Sequence, residues 1–193
     1  MKKINDVLIF LVILISVCFA IKDFNIGAYD RLLGSLSITF VLFIPRIVRK
    51  LFKIKISDAM EFVYILFIFL AQFLGSVVNL YNTVWWYDLF MHFLSGILTS
   101  FLALEVLKWF NMYKEKNKIF NALFIISLSL MIAVLWEFSE FTGDSLFGMN
   151  VQHNMETGVK DTMQDMLVAF LGSIIVSVLY LIKTKVFKKI VSD

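Results

Sequence analysis

Apolar side chains run along this chain in six stretches, at residues 4–21, 32–44, 62–80, 89–104, 119–136 and 166–182, with polar residues collected between them. Most approach the ~20 residues that an α-helix needs to cross the hydrocarbon of a bilayer. With their flanks they predict helices over 4–21, 32–48, 62–80, 89–107, 119–140 and 162–182. The second is the least regular of the six. The short alternating segments of a membrane β-barrel are absent. The expected fold is therefore all-α: a polytopic membrane protein with about six transmembrane helices in a single integral membrane domain.

Composition agrees, since 60% of the 193 residues are hydrophobic and only 17% are charged, too apolar for a soluble core. Charge then orients the chain. Of the 18 Lys and Arg residues, fifteen fall at the N-terminus, in 46–55, in 108–118 and beyond 182, which are alternate loops and ends. Only Lys22, Arg31 and Lys160 fall on the other side. By the positive-inside rule both termini are expected in the cytoplasm. Trp85, Trp86, Tyr87 and Trp136 fall at the expected outer boundary, and Trp109 and Tyr113 at the inner one. The net charge of +3 thus reflects topology rather than nucleic-acid binding.

Met1-Lys2-Lys3 followed by an apolar run also has the form of a secretory signal, but a run of 18 residues exceeds the usual h-region, so the first helix is expected to be retained. Cys18 is the single cysteine, which excludes an intrachain disulfide and a cysteine-based zinc site. Residues 141–160 carry three glycines, Asn150, Asn154 and His153, a turn-rich composition expected to form an ordered outer loop or lid. The first three helices share no motif with the last three, which argues against an inverted-repeat transporter.

The candidate chemistry lies in the second half. Asp88 and His92, four residues apart, share a helix face that Gly96 continues, about 6 Å apart along the axis. Glu137 and Glu140 close the fifth helix, where the negative end of the helix dipole disfavours carboxylates. Asp161 and Asp165 repeat the four-residue spacing at the start of the sixth. All six belong to helix ends expected at the outer membrane face, where ionisable groups are costly unless they serve a site. Structural alternatives stand beside this reading. Asp88 also suits an N-cap, His92 a satisfied structural histidine, the two glutamates simple exposure to water, and Asp161 with Gln164 a capping box. Asp58 with Glu61 shows a cap-like pattern outside any cluster, and Glu105 stands alone. Ser95 beside Asp88 and His92 gives poor triad geometry along one helix.

As a set, Asp88, His92, Glu137, Glu140, Asp161 and Asp165 point to a hard divalent cation, Mg²⁺, Mn²⁺ or Ca²⁺, with Zn²⁺ or Fe²⁺ an option if His153 joins. Glu137, Glu140 and Asp165 are the candidate catalytic groups. Three functions fit: metal-assisted hydrolysis or transfer on a lipid or lipid-linked substrate, cation or polar-ligand binding without catalysis, and ion or proton transport. Transport is disfavoured because few polar groups continue the cluster through the membrane; Ser95, Thr99 and Ser100, with Gln72 and Asn79, are the main ones.

The segments from Trp86 to Gly96, from Trp136 to Glu140 and from Asp161 to Met166 resemble the YjdF-like family of uncharacterised bacterial integral membrane proteins. Their order of Asp and His, then Glu, then paired Asp more distantly resembles VanZ-like proteins. The resemblance implies a multi-pass protein of the bacterial plasma or inner membrane and brings no reaction with it. The segment from Phe147 to Asn154 departs from the loop expected in relatives.

Overall fold

A computed structural model describes residues 1–148 and 159–182, and every regular element among them is helical. Among the described residues six segments are long and apolar enough to cross a membrane: Lys2–Asn25, Arg31–Phe52, Asp58–Val77, Tyr87–Trp109, Lys118–Leu146 and Lys160–Ile182. The chain is a multi-pass membrane protein. It divides into two compact units, Met1–Tyr87 and Asp88–Asp193.

The first unit contains α1 (Lys2–Asn25), α2 (Tyr29–Val41), α3 (Ile44–Phe52), α4 (Asp58–Ile68) and α5 (Leu80–Thr83). A π-helical stretch over Phe69–Val77 continues α4. Ile9 and Val12 of α1, Ile38 and Leu42 at the end of α2, and Ile65, Ile68, Phe73 and Val77 form one buried apolar cluster.

The second expected helix is broken, and the sequence supplies the reason. Pro45 falls in the first turn of α3, where its lost N–H is harmless, but it cannot donate to the carbonyl four residues back. That carbonyl is Val41, the last residue of α2, and the Tyr64 hydroxyl donates to it instead at 2.9 Å. A tyrosine from the next span thus satisfies the bond that the chain's one proline removes.

The pattern of Asp58 and Glu61 also needs correction. Ser57, not Asp58, caps α4, its hydroxyl accepting from the Met60 N–H at 3.1 Å. The Asp58 carbonyl accepts from Asn5 Nδ2 at 2.8 Å. Glu61 is 1% exposed and sits in a cluster of its own, accepting from Arg46 Nε at 2.5 Å and Arg49 at 3.0 Å. Arg46 also reaches Asp6 on α1 at 2.6 Å. A buried carboxylate at the end of a span is here matched by two guanidiniums, the geometry that such burial requires.

The second unit contains α6 (Tyr87–Trp109), α7 (Lys118–Phe147) and α8 (Lys160–Ile182). Ala103, Leu104, Ala122, Ile125, Val176 and Tyr180 pack together. Polar bonds add to the packing: Asn121 Nδ2 donates to the Tyr180 hydroxyl at 2.8 Å, and Ser177 to the Ala122 carbonyl at 3.3 Å. Bonds of this kind, with small residues that admit close backbones, hold helices together where lipid is as apolar as leucine.

α7 is longer than its hydropathy implies. It runs through Gly143 to Phe147 and ends at Gly148, whose φ of 63° is the left-handed conformation that closes many helices. One glycine inside a helix costs about 1 kcal/mol, too little to stop a 30-residue helix. The loop expected from residue 141 therefore begins seven residues later. Residues 149–158, His153 among them, lie outside the described residues.

Candidate functional site

The site is set by a close crossing of α6 and α8. A Cβ on Gly96 would collide with the backbone of Ala169, and one on Gly172 would lie 2.5 Å from the Phe93 carbonyl oxygen. Two glycines on facing helices thus bring the backbones into direct contact. α7 joins through Ser129, which donates to the Gly96 carbonyl at 3.1 Å and shares a 2.7 Å hydrogen bond with Thr99. His92 lies one turn before Gly96 on α6, and Asp165 one turn before Ala169 on α8.

That crossing brings three of the six expected side chains together. Asp88, His92 and Asp165 each offer a ligand atom, all within 4.8 Å of one another. His92 Nε2 lies 3.5 Å from Asp88 Oδ1. His92 is 8% exposed and Asp165 2%, while Asp88 is half-buried. Asp165 Oδ1 is buried with no hydrogen-bond partner among the described residues. Asp88 is in the first turn of α6 and Asp161 in the first turn of α8, where the helix dipole favours acids; each is inside its helix rather than capping it.

Glu137, Glu140 and Asp161 stand outside this trio: among the described residues only Asp88, His92 and Asp165 share the 4.8 Å spacing. Glu137 is 3% exposed. Glu140 accepts from the Trp136 indole at 2.7 Å. The expectation that these glutamates close their helix is corrected: α7 continues to Phe147, so both lie inside it, and the dipole argument does not apply to them.

The remaining candidates resolve as structural. The Ser95 hydroxyl donates to the His92 carbonyl at 2.7 Å, a bond to its own helix rather than to the imidazole. Glu105 pairs with Lys108 at 3.0 Å on the same helix. Sequence reasoning missed Gly172 and Ser129, which fix the crossing. The signal was present as small residues at helical spacing, Gly96 with Ser100 and Ala169 with Ser173.

Comparison with known proteins agrees with the expected membership of an uncharacterised membrane family. The model of the family described as "Predicted membrane protein (DUF2238)" matches residues 5–185. A protein of Thermotoga maritima, described as uncharacterized, is 24% identical over 179 residues, spanning 89% of this chain and 85% of its own. No solved structure matches the chain.

Proposed function

Since the chain belongs to the predicted membrane protein family DUF2238, whose description carries no reaction, we propose from the geometry that Asp88, His92 and Asp165 bind a divalent cation. The observation that carries this reading is a buried His between two carboxylates, their ligand atoms within 4.8 Å, one oxygen of Asp165 having no described partner. Carboxylates gathered at such depth repel one another unless protons or a cation offset the charge. A hard ion of about 2.0–2.6 Å bond length spans neighbouring donors about 3–3.7 Å apart, which the 3.5 Å between His92 and Asp88 fits. Mg²⁺, Mn²⁺ and Ca²⁺ are the ions that this donor set favours.

The chemistry proposed for the bound cation is metal-assisted hydrolysis or transfer on a lipid or lipid-linked substrate. Three protein ligands leave coordination positions for water and substrate, and a bound cation lowers the pKa of that water. Glu137 and Glu140, both within α7, are the candidate bases. Trp136, half-exposed and bonded to Glu140, is the type of residue that marks headgroup depth, which is why a lipid substrate fits. The same trio also serves a protein that binds a cation without catalysis, and the positive-inside pattern supports a cytoplasmic N-terminus in a bacterial plasma membrane.

The test is direct. Purified, chelator-stripped protein titrated with Mn²⁺ and followed by electron paramagnetic resonance is expected to bind one ion, His92→Ala and Asp165→Ala to lose it, and Glu105→Ala to keep it. A wild-type protein that binds none at micromolar free ion, or binding that survives both substitutions, overturns the metal reading. Bound metal with no turnover of any lipid leaves the non-catalytic form.

A further inference from the structure

In the first unit α1 and α2 leave an open, mostly apolar furrow between them, about 550 Å³ in volume, lined by Ile13 and Val17 of α1 and by Leu33, Leu36, Ser37 and Phe40 of α2. That is the volume of a small-molecule site. Two ion pairs fix its place along the helices, because Arg31 lies 3.7 Å from Asp23 at one end and Arg46 lies 2.6 Å from Asp6 at the other. The furrow falls between them.

An exposed stripe continues from the furrow toward the second pair. Leu33, Phe40 and Ile47 recur every seven residues, and Ser37, Ile44 and Leu51 follow each of them at four, so the six share one side of α2 and α3. All six are exposed, Phe40 at 80% and Leu51 at 70%. Leu42 and Phe43, between the two helices, keep right-handed helical angles, so the spacing carries across the break. Leu51 lies about 16 Å along the stripe from Phe40, which is one leaflet of a hydrocarbon core about 30 Å thick.

The stripe ends among cations. Lys50, Lys53 and Lys55 are exposed around Leu51 and Phe52, while Lys2 and Lys3, also exposed, lie about a turn from Asp6, which Arg46 brings beside α3. Arg46 and Arg49 are engaged by Asp6 and Glu61, and none of the five lysines joins an ion pair among the described residues. Seven basic residues against Asp6, Asp58 and Glu61 give this end a net charge of +4, whereas at the other end Lys22 and Arg31 are matched in number by Asp23 and Asp30. A cationic end joined to an apolar furrow complements a molecule with an anionic head and a long apolar tail.

We propose that the first unit binds an anionic phospholipid from the leaflet at its basic end. Lys50, Lys53 and Lys55 hold the phosphate, Lys2 and Lys3 add to the field, and one acyl chain follows the stripe into the furrow. A zwitterionic lipid offers the same chain without the net charge.

The full-length protein in vesicles tests this with phosphatidylglycerol or phosphatidylcholine, each carrying a photoactivatable diazirine near the end of one acyl chain. Insertion is mapped by mass spectrometry at Ile13, Val17, Leu36 and Phe40, and at Leu123 and Met131 of α7, exposed residues that report ordinary lipid contact. The ratio of phosphatidylglycerol to phosphatidylcholine labelling at the furrow is expected to exceed the ratio at α7 on the order of fivefold, the factor that one lysine contributes near an anionic headgroup. Lys50→Gln/Lys53→Gln/Lys55→Gln is expected to bring it down to the α7 ratio. Salt at 1 M, where the Debye length is about 3 Å, is expected to do the same to the unsubstituted protein, which decides independently of any folding defect. A wild-type ratio equal to that at α7, or an excess that survives salt or the triple substitution, overturns the proposal. Furrow residues that take no label from either lipid are covered by protein, such as a second copy of the chain, and overturn it as well.

Discussion

The Ala169 backbone occupies the space that a side chain on Gly96 would need. Each residue lies one turn beyond a member of the trio, His92 on α6 and Asp165 on α8, so the spacing of the two backbones sets the spacing of those side chains. Gly96→Ala and Gly172→Ala are each expected to destabilise the protein by about 1–3 kcal/mol through overpacking against backbone that cannot yield. Each is also expected to weaken Mn²⁺ binding without touching a ligand. Thermal unfolding in detergent together with Mn²⁺ titration checks both, and wild-type affinity in Gly96→Ala would separate the crossing from the site.

Cation binding at the trio is expected to weaken as pH falls. The ion binds only deprotonated carboxylates and neutral imidazole, so protons compete for the same atoms. The sign is fixed by that competition: affinity is highest at alkaline pH and drops about tenfold per pH unit for each proton displaced. Calorimetric titration of Mn²⁺ in buffers of different ionisation enthalpy reads both the slope and the number of protons released.

Arg46 makes two ion pairs of unequal worth. Glu61 is 1% exposed and shared with Arg49, whereas Asp6 is 48% exposed. Glu61→Ala removes the carboxylate that Arg46 and Arg49 share and leaves Arg46 with Asp6 alone; the guanidiniums are 30% and 34% exposed, so the expected cost is that of the lost charged hydrogen bonds, about 2–3 kcal/mol. Asp6→Ala removes a screened surface pair worth about 0–1 kcal/mol. Unfolding midpoints of the two variants should differ widely, and equal midpoints would mean that Glu61 is more hydrated than its burial indicates.

The cap of α4 gives a sharper local test. Ser57→Ala is expected to cost about 1 kcal/mol by removing the acceptor for Met60, and Asp58→Ala less, since its contact with Asn5 is made by the backbone. Hydrogen exchange in the first turn of α4 distinguishes them.

Topology is checked by fusion. A reporter after Lys116, in a loop rich in lysine, is expected to face the cytoplasm, and one after Asn150 the opposite side.

Much of the architecture was legible because lipid demands unbroken apolar length, and six such lengths survive in the sequence whatever the helices pack against. Four-residue spacing likewise put Asp88 with His92, a relation internal to one helix. What spacing leaves open is which helix ends adjoin. Asp165 joins Asp88 and His92 while Glu137 does not, a choice made by the backbone contact at Gly96 and Gly172. The cap-like appearance of Glu61 misled for the same reason, since its partners Arg46 and Arg49 come from α3, across a turn. The reach of α7 past Gly143 was hidden because a glycine weakens a helix by less than its neighbours support it.

Glu61 has a consequence for biogenesis. During synthesis the span that begins at Asp58 leaves the ribosome after Arg46 and Arg49, so the guanidiniums are already waiting when the carboxylate arrives. A lone Glu61, one turn inside the start of its span, would bring an unpaired charge to the edge of the hydrocarbon, whereas a hairpin that enters already paired does not. The second and third spans are therefore expected to partition as one insertion unit, and slowing translation between them should leave the second poised at the translocon until the third is made.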